Sequence, residues 1–119
     1  MENVRLFDSE LKLMELVWEQ EPVSAKQLAL LAKERIGWNK NTTYTVIKKL
    51  VEKKVVCRSE PGFICSALVK RKDVQKAETK SLINKLYAGS KKAFFAAFLQ
   101  DESLSEEELA ELRDMLDKR

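Results

Sequence analysis

Apolar residues recur at helical spacing through the first fifty positions of the chain. Leu11, Met14, Val17 and Trp18 fall three to four apart. They predict a core-facing helix starting at Asp8 or Ser9, either of which can cap it, and running to about Gln20. Glu21-Pro22 ends it. The run Ser24-Ala-Lys-Gln27 has the form of a capping box and opens a second helix, with Leu28, Leu31 and Ala32 inward and an end near Gly37. Trp38 reads as a packing residue at the entry to a third helix, whose N-cap is Asn39. At 100° per residue Thr43, Val46, Ile47 and Leu50 share the back of that helix. Asn41, Thr45 and Lys48 lie opposite, flanked by Tyr44 and Lys49.

After Lys53-Lys54 the period changes. Val55-Val-Cys-Arg58 and Phe63-Ile-Cys-Ser-Ala-Leu68 predict two strands, joined by Ser59-Glu-Pro-Gly62 with the Pro-Gly pair of a tight turn. Three helices followed by a hairpin make a winged helix-turn-helix, in which the third helix enters a major groove and the hairpin lies beside the backbone. Arg58 is then placed to touch phosphate, a solvated strand charge being the alternative. Cys57 and Cys65 fall on the two strands as near neighbours. They read as wing packing residues, with a redox switch as the alternative.

Lys70-Arg-Lys72 marks a boundary between a DNA-binding domain over residues 1–72 and a helical domain over 73–119. A helix is expected from Asp73 to about Ala88, carrying Val74, Ala77, Leu82, Ile83, Leu86 and Tyr87, and Gly89-Ser90 breaks it. The short apolar segment Ala93–Leu99 follows. Ser105-Glu-Glu-Glu108 is a second capping box, opening a last helix with the stripe Leu109, Leu112, Met115 and Leu116. Helices this short bury little surface alone. Homodimerisation through Leu82, Leu86, Phe94, Phe95, Phe98, Leu109, Leu112 and Leu116 is the economical reading; packing back on the winged domain is the alternative. The fold class expected is mainly α with a small β-hairpin.

Charge sharpens this picture. Residues 33–72 hold eleven Lys/Arg against three Glu, a balance of +8, whereas residues 73–119 hold eight against ten, a balance of −2. Basicity concentrated around the third helix attracts polyanions. Asn41, Thr42, Tyr44 and Thr45 are the candidate base readers, and Lys40, Lys48, Lys49, Lys54 and Arg58 the candidate phosphate contacts. The chain has no His, which excludes imidazole bases, catalytic triads and His-based zinc sites, and two thiols make a poor metal site. With no phosphate loop or nucleophile elbow, neither an enzyme nor a cofactor is expected. No apolar run approaches a membrane span and the Met-Glu-Asn start lacks a signal peptide's features, so a cytoplasmic protein without membrane insertion is expected. A protein-interaction adaptor is the competing function, since winged helices also bind polypeptides.

The order of these pieces resembles the penicillinase and methicillin-resistance repressors from about Leu6 to Arg119. The matching residues are Ser9-Glu10 before an apolar helix ending in Val17-Trp18, and Val23-Ser24 at the next helix start. Gly37-Trp38-Asn39 precedes Thr42 and Thr45, then Lys48-Lys-Leu50 and the wing. Ser81–Tyr87 and the closing run 104–116 complete the match. The resemblance implies a dimeric repressor on a palindromic double-stranded operator. It also implies release by cleavage of the C-terminal domain, triggered by a membrane sensor-protease that has met a β-lactam. The bond matching the family's cleaved one is Ala97–Phe98, where members have Asn in place of Ala97. Members often carry Lys and Arg where this chain has Asn41 and Tyr44, which implies a different base sequence read. The related copper-responsive repressors end in a cysteine-rich metal tail that this chain lacks.

Overall fold

The computed structural model describes residues 5–101 and 103–119. The elements run α1 (Asp8–Gln20), β1 (Val23–Ser24), α2 (Ala25–Arg35), α3 (Lys40–Glu52), β2 (Val56–Ser59), β3 (Ile64–Ala67), α4 (Arg71–Tyr87), α5 (Lys91–Asp101) and α6 (Glu106–Asp117). Two compact units divide after Glu78, inside α4. Among the described residues no helix is long and apolar enough to cross a membrane.

The first unit is three helices and a three-stranded antiparallel sheet of order β1-β3-β2. The hairpin pairs Val56 with Ala67, Cys57 with Ser66, Arg58 with Cys65 and Ser59 with Ile64. The third strand was not anticipated. Val23 and Ser24 pair with Cys65 and Ile64 on the other edge of β3, so the wing is stitched to the entry of α2. Ala25 N–H extends that edge by donating to Phe63 O at 2.9 Å.

Leu13, Met14, Leu28, Ile47, Leu50, Val55 and Cys65 are fully buried and form one cluster with Val17, Ala25 and Ala32. Each large apolar side chain in that cluster contributes about 1.5–3 kcal/mol. Leu13 and Leu16 join the expected Met14 and Val17 in the core, while Leu11 and Trp18 are only partly covered. Trp18 spends its polar edge on the chain leaving the wing, its Nε1–H donating to Val69 O at 3.0 Å. Arg71 then pairs with Glu15 at 2.9 Å, with its guanidinium 5.5 Å from the Trp18 ring, fixing the first turn of α4 on α1.

The start of α1 differs from expectation. Phe7, rather than Asp8 or Ser9, is the N-cap, and its N–H donates to Glu10 Oε1 at 2.8 Å. Glu10 is buried although it is charged, because Lys53 at the end of α3 reaches it at 2.7 Å.

In the second unit α6 opens on the expected capping box. Ser105 Oγ accepts from Glu108 N–H and Glu108 returns a bond to Ser105 N–H. Phe94 packs edge-on to Tyr87 at 5.6 Å and to Phe95 at 5.3 Å. Much of the apolar surface stays uncovered: Leu86 is 64% exposed, Phe95 56% and Leu116 71%, and α6 buries no residue.

Candidate nucleic-acid interface

Helix α3 is built for an amphipathic role at a surface. Asn39 caps it through Oδ1, which accepts from Thr42 N–H at 2.8 Å. The turn from α2 places Gly37 at φ +84°, a left-handed conformation that side chains adopt only with strain. Thr43, Val46, Ile47 and Leu50 are buried, as the periodicity predicts. Asn41, Thr42, Thr45, Lys48 and Lys49 are exposed together with Lys40. Among the described residues none of these three lysines forms an ion pair with a protein carboxylate.

The end of α3 that carries Lys40 has a further property. Its first turn holds no acid, whereas α1 and α6 place Asp8 and Glu10, and Glu106, Glu107 and Glu108, in theirs. The positive end of the α3 dipole therefore stays unneutralised, which suits an anion such as phosphate.

Hydrogen bonds define what each exposed side chain can still offer. Thr45 Oγ1 donates to Asn41 O at 2.9 Å, so its hydroxyl presents acceptor lone pairs and its methyl group outward. Such a group accepts from an adenine or cytosine amino group or packs on a thymine methyl. Asn41 keeps a full amide, and Thr42 keeps a hydroxyl with no partner among the described residues.

Tyr44 differs from the other candidate readers. Its ring is half-buried and packs edge-on to Phe63 of the wing, 6.1 Å between centroids, with Lys40 Nζ 5.8 Å from the Tyr44 ring centroid. The tyrosine thus braces helix to wing with most of its ring. Phe63 in turn carries Arg58, whose guanidinium carbon lies 3.7 Å from the ring centroid. Arg58 Nε–H donates to Glu60 Oε2, and Glu60 Oε1 accepts from Phe63 N–H at 3.2 Å. The hydrogen bond from Arg58 and that from Phe63 hold the Glu60 carboxyl below the usual carboxylate range. Sequence reasoning placed Arg58 but missed Phe63 and Glu60. Their only signal was position, one on each side of the Pro61-Gly62 turn.

Lys54 sits just past α3 at φ +61°, exposed, where α3 turns into the hairpin. The two thiols are not a pair. Cys57 lies opposite Ser66 and Cys65 opposite Arg58, and cross-strand partners share a face, so the cysteines project from opposite faces of the hairpin. Both are free; Cys65 is buried, which pushes its thiol above the ordinary range. The registry removes the basis for a switch between these two cysteines. Among the described residues no cluster of His, Cys, Asp or Glu is arranged to hold a metal ion.

Of the residues expected at a dimer interface, Leu82, Leu86, Phe95, Phe98, Leu112 and Leu116 are exposed, whereas Phe94 and Leu109 are half-buried. Ala97 and Phe98 lie within α5, Ala97 half-buried.

The penicillinase repressor family model matches residues 6–118. The chain is 29% identical to a penicillinase repressor of Staphylococcus aureus over 116 residues, covering 96% of this chain and 92% of that protein. It is 28% identical to the methicillin resistance regulatory protein MecI of Mammaliicoccus sciuri over 113 residues, 93% of this chain and 92% of that one. Among solved structures, the DNA-binding domain of the repressor BlaI superposes with a TM-score of 0.56 at 18% identity, covering 60% of this chain and 90% of that domain. That likeness supports the winged-helix fold.

Proposed function

Since the chain belongs to the penicillinase repressor family, we propose that it is a DNA-binding transcriptional repressor acting as a homodimer on a palindromic operator. The observation that carries this reading is α3. It is an amphipathic helix with a buried back and a polar and basic front, and its front lies beside a wing that presents another cation. In this reading Asn41, Thr42 and Thr45 meet base edges. Tyr44 meets them only through the part of its ring that the wing leaves open. Lys40, Lys48, Lys49, Lys54 and Arg58 hold phosphates.

Dimerisation is the second part of the proposal. A unit as short as Thr79–Arg119 that leaves Leu86, Phe95, Met115 and Leu116 mostly exposed has not completed its core. A second copy supplies the missing surface, and two-fold symmetry then matches two operator half-sites. A domain boundary near Lys72 assigns nearly all of α4 to this dimerising part. The third part is release by proteolysis at Ala97–Phe98, downstream of a membrane sensor. That bond lies inside α5, so its cleavage requires the helix to unwind locally.

The test is titration of the full chain against its own upstream DNA at two salt concentrations. Each protomer offers five candidate phosphate cations. If six to ten contacts form in a dimer, raising salt from about 50 to about 200 mM weakens binding by about 10³–10⁵-fold. An absence of both an operator-sized shift and a salt slope would instead favour a polypeptide-binding adaptor.

A further inference from the structure

The wing carries one cation whose side chain is held on two sides before any DNA arrives. Arg58 lies with its guanidinium 3.7 Å from the Phe63 ring centroid and its Nε–H donated to Glu60. Glu60 is itself fixed by accepting from Phe63 N–H, and Phe63 is braced by the edge of Tyr44 from α3. Phe63 adopts φ +50°, an uncommon conformation for a residue with a side chain, with its N–H satisfied by that same carboxylate. The four side chains form a single connected unit from the reading helix to the wing tip.

We propose that Glu60 and Phe63 are positioning residues that fix Arg58 as a preformed phosphate hook, with its Nε edge turned onto Glu60 and its two Nη groups as the donors left for DNA. This rests on the DNA-binding reading above. A guanidinium has five N–H donors in a rigid fork, so committing Nε leaves the Nη pair free for a phosphate. A free arginine loses rotamer freedom when it binds; one already stacked and hydrogen-bonded loses less. Glu60 also places a negative charge near the bound phosphate, an effect that opposes the first. The two are separable, because glutamine keeps one acceptor oxygen, which can still take the Arg58 Nε–H, and removes the charge at the cost of the bond to Phe63 N–H.

The experiment compares the full-length protein with Glu60→Gln, Glu60→Ala and Arg58→Ala, each titrated against upstream DNA over a range of salt. Arg58→Ala lowers the salt slope by about one per protomer bound. Glu60→Ala weakens binding about three- to tenfold, the loss expected for one side chain that must now be immobilised, whereas Glu60→Gln, which keeps an acceptor for Arg58 Nε–H, binds more tightly than Glu60→Ala. In the Arg58→Ala background Glu60→Ala no longer weakens binding. A Glu60→Ala protein that binds as tightly as the parent, or more tightly, overturns the proposal, since the carboxylate then acts only as a repelling charge. A measurement without DNA separates this failure from that of the repressor reading. The Arg58 Nε–H resonance exchanges slowly with water in the parent and in Glu60→Gln, and rapidly in Glu60→Ala. Equal exchange in all three overturns the clamp itself. Slow exchange in a parent that shows no salt-dependent binding refutes the repressor reading, and the phosphate role of Arg58 falls with it.

Discussion

Lys53→Ala is expected to destabilise the first unit by about 2 kcal/mol, although Lys53 lies on no apolar face. Its ammonium group is the partner of Glu10 at 2.7 Å, and it also donates to Arg5 O at 3.1 Å. The Glu10 side chain is 1% exposed and that of Lys53 31%. Without the lysine, the carboxylate keeps one protein hydrogen bond, from Phe7 N–H, and its Oε2 is already unpartnered. Breaking a buried pair costs about 3–5 kcal/mol, and the partial exposure of Lys53 reduces this to about 2, because water is close enough to help solvate the site. Replacing both partners, as Glu10→Leu with Lys53→Met, removes the stranded charge and recovers most of the loss. Urea unfolding at fixed protein concentration, followed by tryptophan fluorescence, reads this unit alone, since Trp18 and Trp38 both belong to it. With a slope of about 1–1.5 kcal/mol per M, the midpoint falls by about 1.3–2 M at unchanged slope. A Lys53→Ala midpoint within about 0.3 M of the parent, or a double variant no better than the single, would refute the argument that the pair is coupled.

Phe98→Asp and Leu116→Asp place a charge on the uncovered apolar surface of the second unit, and each is expected to shift sedimentation from dimer to monomer while leaving the tryptophan-monitored unfolding of the first unit in place. Under native alkylation Cys57 is modified and Cys65 is protected until the chain unfolds; mild oxidation causes no two-hydrogen mass loss within one chain, and observing that loss would contradict the strand register. Glu19 and Glu60 are both held below the ordinary carboxylate range, chiefly by hydrogen bonds from Arg35 and Arg58. Their contribution to stability is therefore fully present above about pH 4.3 and is lost as pH falls through the lowered values. Glu19→Gln with Glu60→Gln flattens that acid limb, measured as thermal midpoint against pH, and an unaltered limb would show that the two ion pairs contribute nothing.

The parts of the fold legible in the sequence were those set by local chemistry. Thr43, Val46, Ile47 and Leu50 could be placed on the back of α3 because a helix repeats every 3.6 residues, and Asn39 and Ser105 because an N-cap needs a short side-chain acceptor. Pro61-Gly62 marked the wing turn for the same kind of reason. What stayed hidden depends on residues far apart in the chain. The two-residue strand Val23–Ser24 is too short to carry a pattern and exists only because β3 offers it an edge. The burial of Glu10 has no local signal, because it rests on Lys53 reaching it from the far end of α3. The cysteines were read as neighbours because both lie on paired strands, yet a one-residue offset in register decides the face of each. At the candidate site, the exposed positions of α3 followed from its periodicity. The brace from Tyr44 through Phe63 to Arg58 is a tertiary contact between helix and wing that no spacing encodes.

The central claim is that α3 divides its exposed side chains between reading bases and holding phosphates. Binding of Thr45→Ala and Lys48→Ala to a panel of single-base operator variants tests it most directly. Thr45→Ala is expected to lose about 1–3 kcal/mol on the preferred sequence and to relax discrimination at one position in each half-site. Lys48→Ala is expected to weaken every sequence alike and to reduce the salt slope by about one per protomer. Identical profiles for the two variants would contradict the assignment of α3 as the reading helix.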